Sequence, residues 1–191
     1  DRSEHLRLSE EEMSISKLAA VSLFTAQGIT MIHAGQEFAR SKIIAKTPCP
    51  DPDVGKIDHN SYEKDNETNW INYEDIHCNR ELYEYYRSLI RIRLQSPALR
   101  KCDPSEICFD HYSNPLIISF FISGTSSGDL YDYYVILNGS KSETAHVHLP
   151  SGTWEVLVNG ELASTQMIDL VRNHAKSEPQ SGLLLRKLMH S

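Results

Sequence analysis

Ile15, Leu18, Ala19, Ser22 and Ala26 recur at three- and four-residue spacing, the period of one face of a helix. Ser9, followed three residues on by Glu12, makes a capping box in which hydroxyl and carboxylate each satisfy an orphan amide. The pattern therefore predicts a helix from about residue 10, with Gly28 as its left-handed cap. Residues 29–33, Ile-Thr-Met-Ile-His, are apolar and β-branched without alternation, which predicts a strand buried on both faces. The chain then turns polar from Ser41 to about Cys78, punctuated by Pro48, Pro50, Pro52 and Gly55. That stretch is too long for a simple connector and is expected to be functional or disordered. Asn79 can cap a second helix whose apolar stripe is Leu82, Tyr85, Leu89 and Ile92, and Ser96-Pro97 forces its end.

From about residue 105 the period falls to two. Residues 107–112, 116–122, 133–137, 144–149, 153–158 and 183–188 read as strands, and Asn138-Gly139, Pro150-Ser-Gly152 and Asn159-Gly160 supply the residues of tight reversals. The expected fold is α/β plus all-β, with a boundary near residues 98–105. Residues 1–100 form the α/β part and residues 101–191 an antiparallel β-sandwich. One buried parallel strand and two helices do not make a domain, because a lone strand leaves its amides and carbonyls unpaired. The missing strands are expected upstream in a longer chain or on another polypeptide.

Composition narrows the partners. With 40% apolar and 24% charged residues in 191, the chain is too apolar to be disordered as a whole. A net charge of −7, from 19 basic and 26 acidic side chains, repels phosphate backbones and anionic lipid, so neither nucleic acid nor a membrane is an expected partner. No apolar run reaches the ~20 residues of a membrane span, and residues 1–12 lack the hydrophobic core of a signal peptide. Cys49, Cys78, Cys102 and Cys108 show no C-x-x-C spacing and read as ordinary thiols, which leaves the compartment unassigned.

The candidate chemistry lies just past residue 33. Glu37 follows the expected strand, where barrels carry active-site loops. A carboxylate without a positioned partner does no acid/base work, however, so Gln36 and Glu37 are expected to bind loop backbone instead. His33 reads as a core or pocket-lining histidine rather than a metal ligand. The stretch from His59 to Trp70 mixes aromatic rings with amides and carboxylates. Tyr62 and Trp70 can stack on the apolar face of a pyranose while Asp65 and Asn69 take hydrogen bonds from its hydroxyls. The same composition also suits a solvated loop of local turns. Asp51, Asp53 and Asp58 lack the spacing of a calcium loop, and no metal or other cofactor is expected.

Met-Ile-His-Ala-Gly-Gln-Glu-Phe-Ala-Arg-Ser-Lys (31–42), Asp-His-Asn-Ser-Tyr-Glu-Lys-Asp-Asn-Glu-Thr-Asn-Trp (58–70) and Tyr-Tyr-Arg-Ser-Leu-Ile-Arg-Ile-Arg (85–93) stand in that order, ahead of Ser-Pro-Ala-Leu-Arg. Together they resemble the last segment of pullulanase-type debranching enzymes of the α-amylase superfamily. The resemblance implies the terminal portion of a (β/α)8 TIM barrel, with its last strand, long loop and closing helices, followed by the β-sandwich. It also implies hydrolysis of α-1,6-glucosidic branch points in pullulan, glycogen or starch dextrins by a retaining mechanism, which needs two carboxyl groups about 5 Å apart.

In that family the catalytic carboxylates follow earlier barrel strands. The stabilising Asp belongs to a His-Asp dipeptide, and no such dipeptide occurs in these 191 residues. Asp1 therefore does not inherit its role, Glu37 matches a non-catalytic position, and the chain is expected to hold no catalytic residue and to be inactive alone. The resemblance assigns Tyr62, Asp65 and Asn69 to substrate binding. The implied partners are an α-glucan and the upstream remainder of the barrel. An alternative is that the β-sandwich is an autonomous carbohydrate-binding module using Tyr131, Tyr133, Tyr134 and Trp154.

Overall fold

The structure, a computed structural model, describes residues 7–49 and 51–189; Asp1 and Pro50 lie outside them. Its helices are α1 (Glu10–Thr25), α2 (Asp75–Cys78), α3 (Arg80–Gln95) and α4 (Ala98–Lys101). The strands are β1 (Ile107–Phe109), β2 (Ile117–Ile122), β3 (Tyr131–Asn138), β4 (Ala145–Val158), β5 (Asp169–Ser177) and β6 (Ser181–Leu188). Two compact units divide the chain, one built around Ile32–Tyr83 and the other from Ser9–Met31 with the residues after Glu84.

The second unit is a six-stranded antiparallel sheet ordered β1-β2-β3-β6-β4-β5. Its core gathers Tyr134, Ile136, Val147, Leu149, Trp154, Val156, Ala175, Leu183 and Leu185. Trp154 is wholly buried, with its indole N–H donating to the Pro150 carbonyl at 2.9 Å and Tyr134 set edge-on 5.9 Å away. Tyr133, Tyr134 and Trp154 are therefore closed to a ligand, and Tyr131 lies beneath the Arg186 guanidinium.

Two reversals and one strand differ from expectation. The two strands expected at 144–149 and 153–158 are one bent strand, β4. Pro150-Ser-Gly152 lies inside it, at a register slip between His148 and Thr153. Asn138-Gly139 makes no hairpin, because β3 pairs with β6 and not with β4. Asn138 is instead a buried hub, donating to the carbonyls of Glu143, Ser177 and Glu178 at 2.8–3.0 Å. Strand β5 escapes the sequence reading because an edge strand with a mostly polar outer face lacks the apolar run that marks a strand.

Helix α1 starts as expected. Ser9 accepts from the Glu12 amide at 3.3 Å, and Glu12 accepts from the Ser9 amide at 2.8 Å. The buried face, however, is Lys17, Ala20, Val21, Phe24 and Thr25, while Ile15, Ala19, Ser22 and Ala26 are exposed. Small and apolar residues stand on both sides of this helix, so spacing alone does not choose the face that meets the sheet. Contact with β6 is close at Gly182, where an added Cβ would come within 2.9 Å of Val21 Cβ. The helix ends at Thr25 rather than at Gly28, and the buried Arg93 of α3 closes it. The Arg93 guanidinium donates to the carbonyls of Phe24, Ala26, Gly28 and Leu99 at 2.6–2.8 Å. Leu82, Tyr85, Leu89 and Ile92 of α3 are all buried, as their spacing predicts.

Residues 29–33 form no strand. Ile29 and Met31 are fully solvated, at 103% and 86% exposure. A parallel strand exists only through its neighbours, and among the described residues none is offered to this one.

Candidate glucan-contact loop

The first unit is irregular but closely tied. Gly35 adopts a left-handed φ of 90° and is packed against Arg40, whose Cβ would lie 2.6 Å from any Cβ added there. The Arg40 guanidinium donates to the Ala34 carbonyl at 3.2 Å and also to the Asn69 carbonyl, stitching residues 34–40 to the loop near Trp70. Glu37 accepts from the Gly35 amide at 3.1 Å and Gln36 from the His33 amide at 3.2 Å, the backbone role expected of both. His33 is exposed, not in a core, since the strand that would have buried it does not form.

The proline-punctuated stretch is ordered by backbone pairing. Ile43 and Ile57 bridge antiparallel, the Ile44 amide donates to the Lys56 carbonyl at 2.9 Å, and the Asp58 amide donates to the Lys42 carbonyl at 2.8 Å. Its carboxylates are spent on lysines. Lys64 lies 2.7 Å from Asp58 and 3.2 Å from Asp51, and Lys56 lies 2.7 Å from Asp53. Hydrogen bonding from the Lys64 ammonium holds the Asp58 carboxyl below its ordinary range, helped by the Asn60 amide, and pushes Lys64 up. No group of three or more His, Cys, Asp or Glu side chains among the described residues is arranged to hold a metal ion.

Residues 58–70 rest on this frame, with Asn69 as the keystone. Its Nδ2 donates to the carbonyls of Ser61, at 2.6 Å, and Lys64, and its Oδ1 accepts from the Ser61 hydroxyl at 2.7 Å. Thr68, which is buried, accepts from the Ala45 amide at 3.1 Å. What this scaffold leaves outward is aromatic: Tyr62 is 76%, Trp70 58% and Tyr73 65% exposed. The Tyr62 hydroxyl donates to Glu63 at 2.7 Å, and Asp65 is exposed. A depression of about 400 Å³ elsewhere on this unit is bordered by Ala45, Asp51, Lys64, Asn66 and Thr68. The structure thus places Tyr62, Asp65 and Asn69 on one short loop but gives them different work. Sequence spacing did not disclose the part played by Arg40.

No family model matches the chain. A curated pullulanase from Bacillus subtilis is 31% identical over 94 residues, which cover 49% of this chain and 11% of that protein. The solved pullulanase from Bacillus acidopullulyticus superposes with a TM-score of 0.77 at 22% identity, over 94% of this chain and 21% of its own. A Paenibacillus barengoltzii pullulanase, solved with maltohexaose and α-cyclodextrin, gives 0.70 at 27% identity, over 95% of this chain and 26% of its own. These neighbours are pullulanases. The chain is similar to the C-terminal part of a pullulanase-type enzyme and spans about a quarter or less of the relatives it matches. A glycoside hydrolase relationship follows from that likeness. No helix among the described residues is long and apolar enough to cross a membrane.

Proposed function

We propose that this chain is the closing portion of an α-1,6-glucan-cleaving enzyme. In this reading, residues 1–100 complete a (β/α)8 barrel and residues 101–191 form the antiparallel sheet domain that follows it. The loop at 58–70 walls the glucan groove, and the catalytic carboxylates belong to other parts of the enzyme. The observation that carries the reading is the loop itself: a polar frame locked by Asn69, Arg40 and Lys64 that leaves Tyr62, Asp65 and Trp70 exposed on one short segment. Exposed rings next to a carboxylate suit a pyranose, whose CH face stacks while its hydroxyls donate. Tyr62 and Asp65 contact the sugar, and Asn69 sets their positions. The solvated apolar residues Ile29 and Met31, with the outer face of α1, suit burial against other barrel elements. The relatives solved with maltose and maltohexaose support an α-glucan as ligand.

The test is titration of the purified chain with maltotetraose, observed by NMR at the Trp70 indole, with a pullulan reducing-end assay alongside. Trp70 is expected to shift in the parent chain and not in Asp65→Ala, with no reducing ends released by either. An unmoved Trp70, or hydrolysis by this chain alone, overturns the reading. The module alternative loses ground because Tyr133, Tyr134 and Trp154 are buried.

A further inference from the structure

Strands β4 and β5 set His148 and His174 directly opposite each other, both exposed, at the last regular pair before the register slip toward Thr153. Nδ1 of His148 lies 3.0 Å from Nε2 of His174, the ring centres are 4.6 Å apart and the ring planes cross at 81°. A straight N–H···N bridge of that length would separate the centres by about 5.3 Å, since both nitrogens would lie on the line joining them. Two lone pairs converging on one ion about 2.05 Å from each nitrogen would separate them by about 4.7 Å, with an angle of about 94° at the ion. The observed 4.6 Å is short of a straight bridge: the two nitrogens meet in a bent hydrogen bond, an arrangement that an ion drawing on both lone pairs can replace. An angle near 90° suits the tetragonal geometry of copper(II) and nickel(II) better than a tetrahedral ion.

We propose that His148 and His174 chelate one copper(II)- or nickel(II)-type ion, with water in the remaining positions. The neighbouring charges permit it. On the same face, Arg172 donates to the Thr153 hydroxyl at 2.8 Å and Lys176 pairs with Glu178 at 2.6 Å, while His146 stands two residues before His148. His148 also borders an open depression of about 420 Å³ shared with Cys108 and Asp110, whose carboxylate accepts from the Tyr134 and Ser119 hydroxyls. Because β5 is the edge of the sheet, the ion would staple the outermost strand to its neighbour. Chelation requires both rings neutral.

The test is calorimetric titration of the full 191-residue chain with nickel chloride at neutral pH, together with thermal unfolding with and without nickel. One ion per chain and a nickel-dependent rise in Tm are expected, with affinity reduced at least about tenfold in His148→Ala and in His174→Ala. His146→Ala, the control on the same face, keeps both properties. Unchanged nickel affinity in either pair variant, or a loss confined to His146→Ala, overturns the proposal. All three side chains are exposed, and Tm without metal establishes that each variant is folded.

Discussion

Arg93 is 6% exposed, and its guanidinium donates to carbonyls at and just beyond the C-terminal end of α1. Replacing it with Met keeps the apolar stem but removes every donor. Of the four carbonyls, those of Phe24 and Leu99 sit in buried hydrogen bonds, whereas Ala26 and Gly28 lie where water can replace the donor. Two buried acceptors left unpaired cost about 2–6 kcal/mol together. Relief of the guanidinium's own desolvation, which pulls its pKa below the ordinary arginine value, returns part of that. The net loss is about 3 kcal/mol. With a urea slope of about 2 kcal/mol/M, the unfolding midpoint should fall by about 1.5 M. Arg93→Lys, whose compact ammonium lacks the planar fork, should fall between the two. The exposed Arg91→Met serves as control. Equilibrium unfolding followed by tryptophan fluorescence reads all four proteins, and an Arg93→Met midpoint within about 0.5 M of the parent refutes the capping argument.

Gly182→Ala should destabilise the sheet unit by about 1–3 kcal/mol, because the new methyl meets Val21 across the α1–β6 contact. Pairing it with Val21→Ala should recover part of that loss in the same unfolding assay, and a strictly additive double variant would contradict the contact. Asn69→Ala should speed amide exchange across residues 61–70, a local loss of about 1–3 kcal/mol, while leaving β3 and β6 protected. The folded-state pKa of Asp58 is depressed, so its contribution is complete above the ordinary carboxylate value near ~3.9 and disappears as pH falls through the lower folded value. Protection of the Asn60 amide, which donates to Asp58 at 2.8 Å, should fall along that limb, and Asp58→Asn should abolish the dependence.

Much of the helical frame was legible because its signals are local. Ser9 and Glu12 satisfy each other three residues apart, and the α3 stripe has one apolar side. Arg93 had a readable signal too, since it stands four residues after Leu89 on that buried stripe. Its destination was not readable, for the carbonyls it serves lie up to 69 residues away. The face of α1 and the exposure of residues 29–33 depend on which surfaces are present to be covered, a tertiary matter that periodicity does not carry. Asn138 has the composition of a turn but the surroundings of a core, and only the sheet order distinguishes them. In the candidate loop, the residue types alone left a sugar-contact surface and a solvated loop of turns both open. The division of labour, with Asn69 turned inward and Tyr62 outward, depended on hydrogen-bond geometry across the loop.

The connection after β4 is gripped from two helices at once. Lys17 of α1 donates to the carbonyls of Gly160 and Glu161 at 3.4 and 3.0 Å, and the Tyr85 hydroxyl of α3 donates to that of Asn159 at 2.7 Å. Surface loops ordinarily vary freely in length, but here one inserted residue would pull three anchor points out of alignment. The spacing of this segment is thus tied to residues more than 70 positions earlier, and a change in loop length would need compensation in both helices.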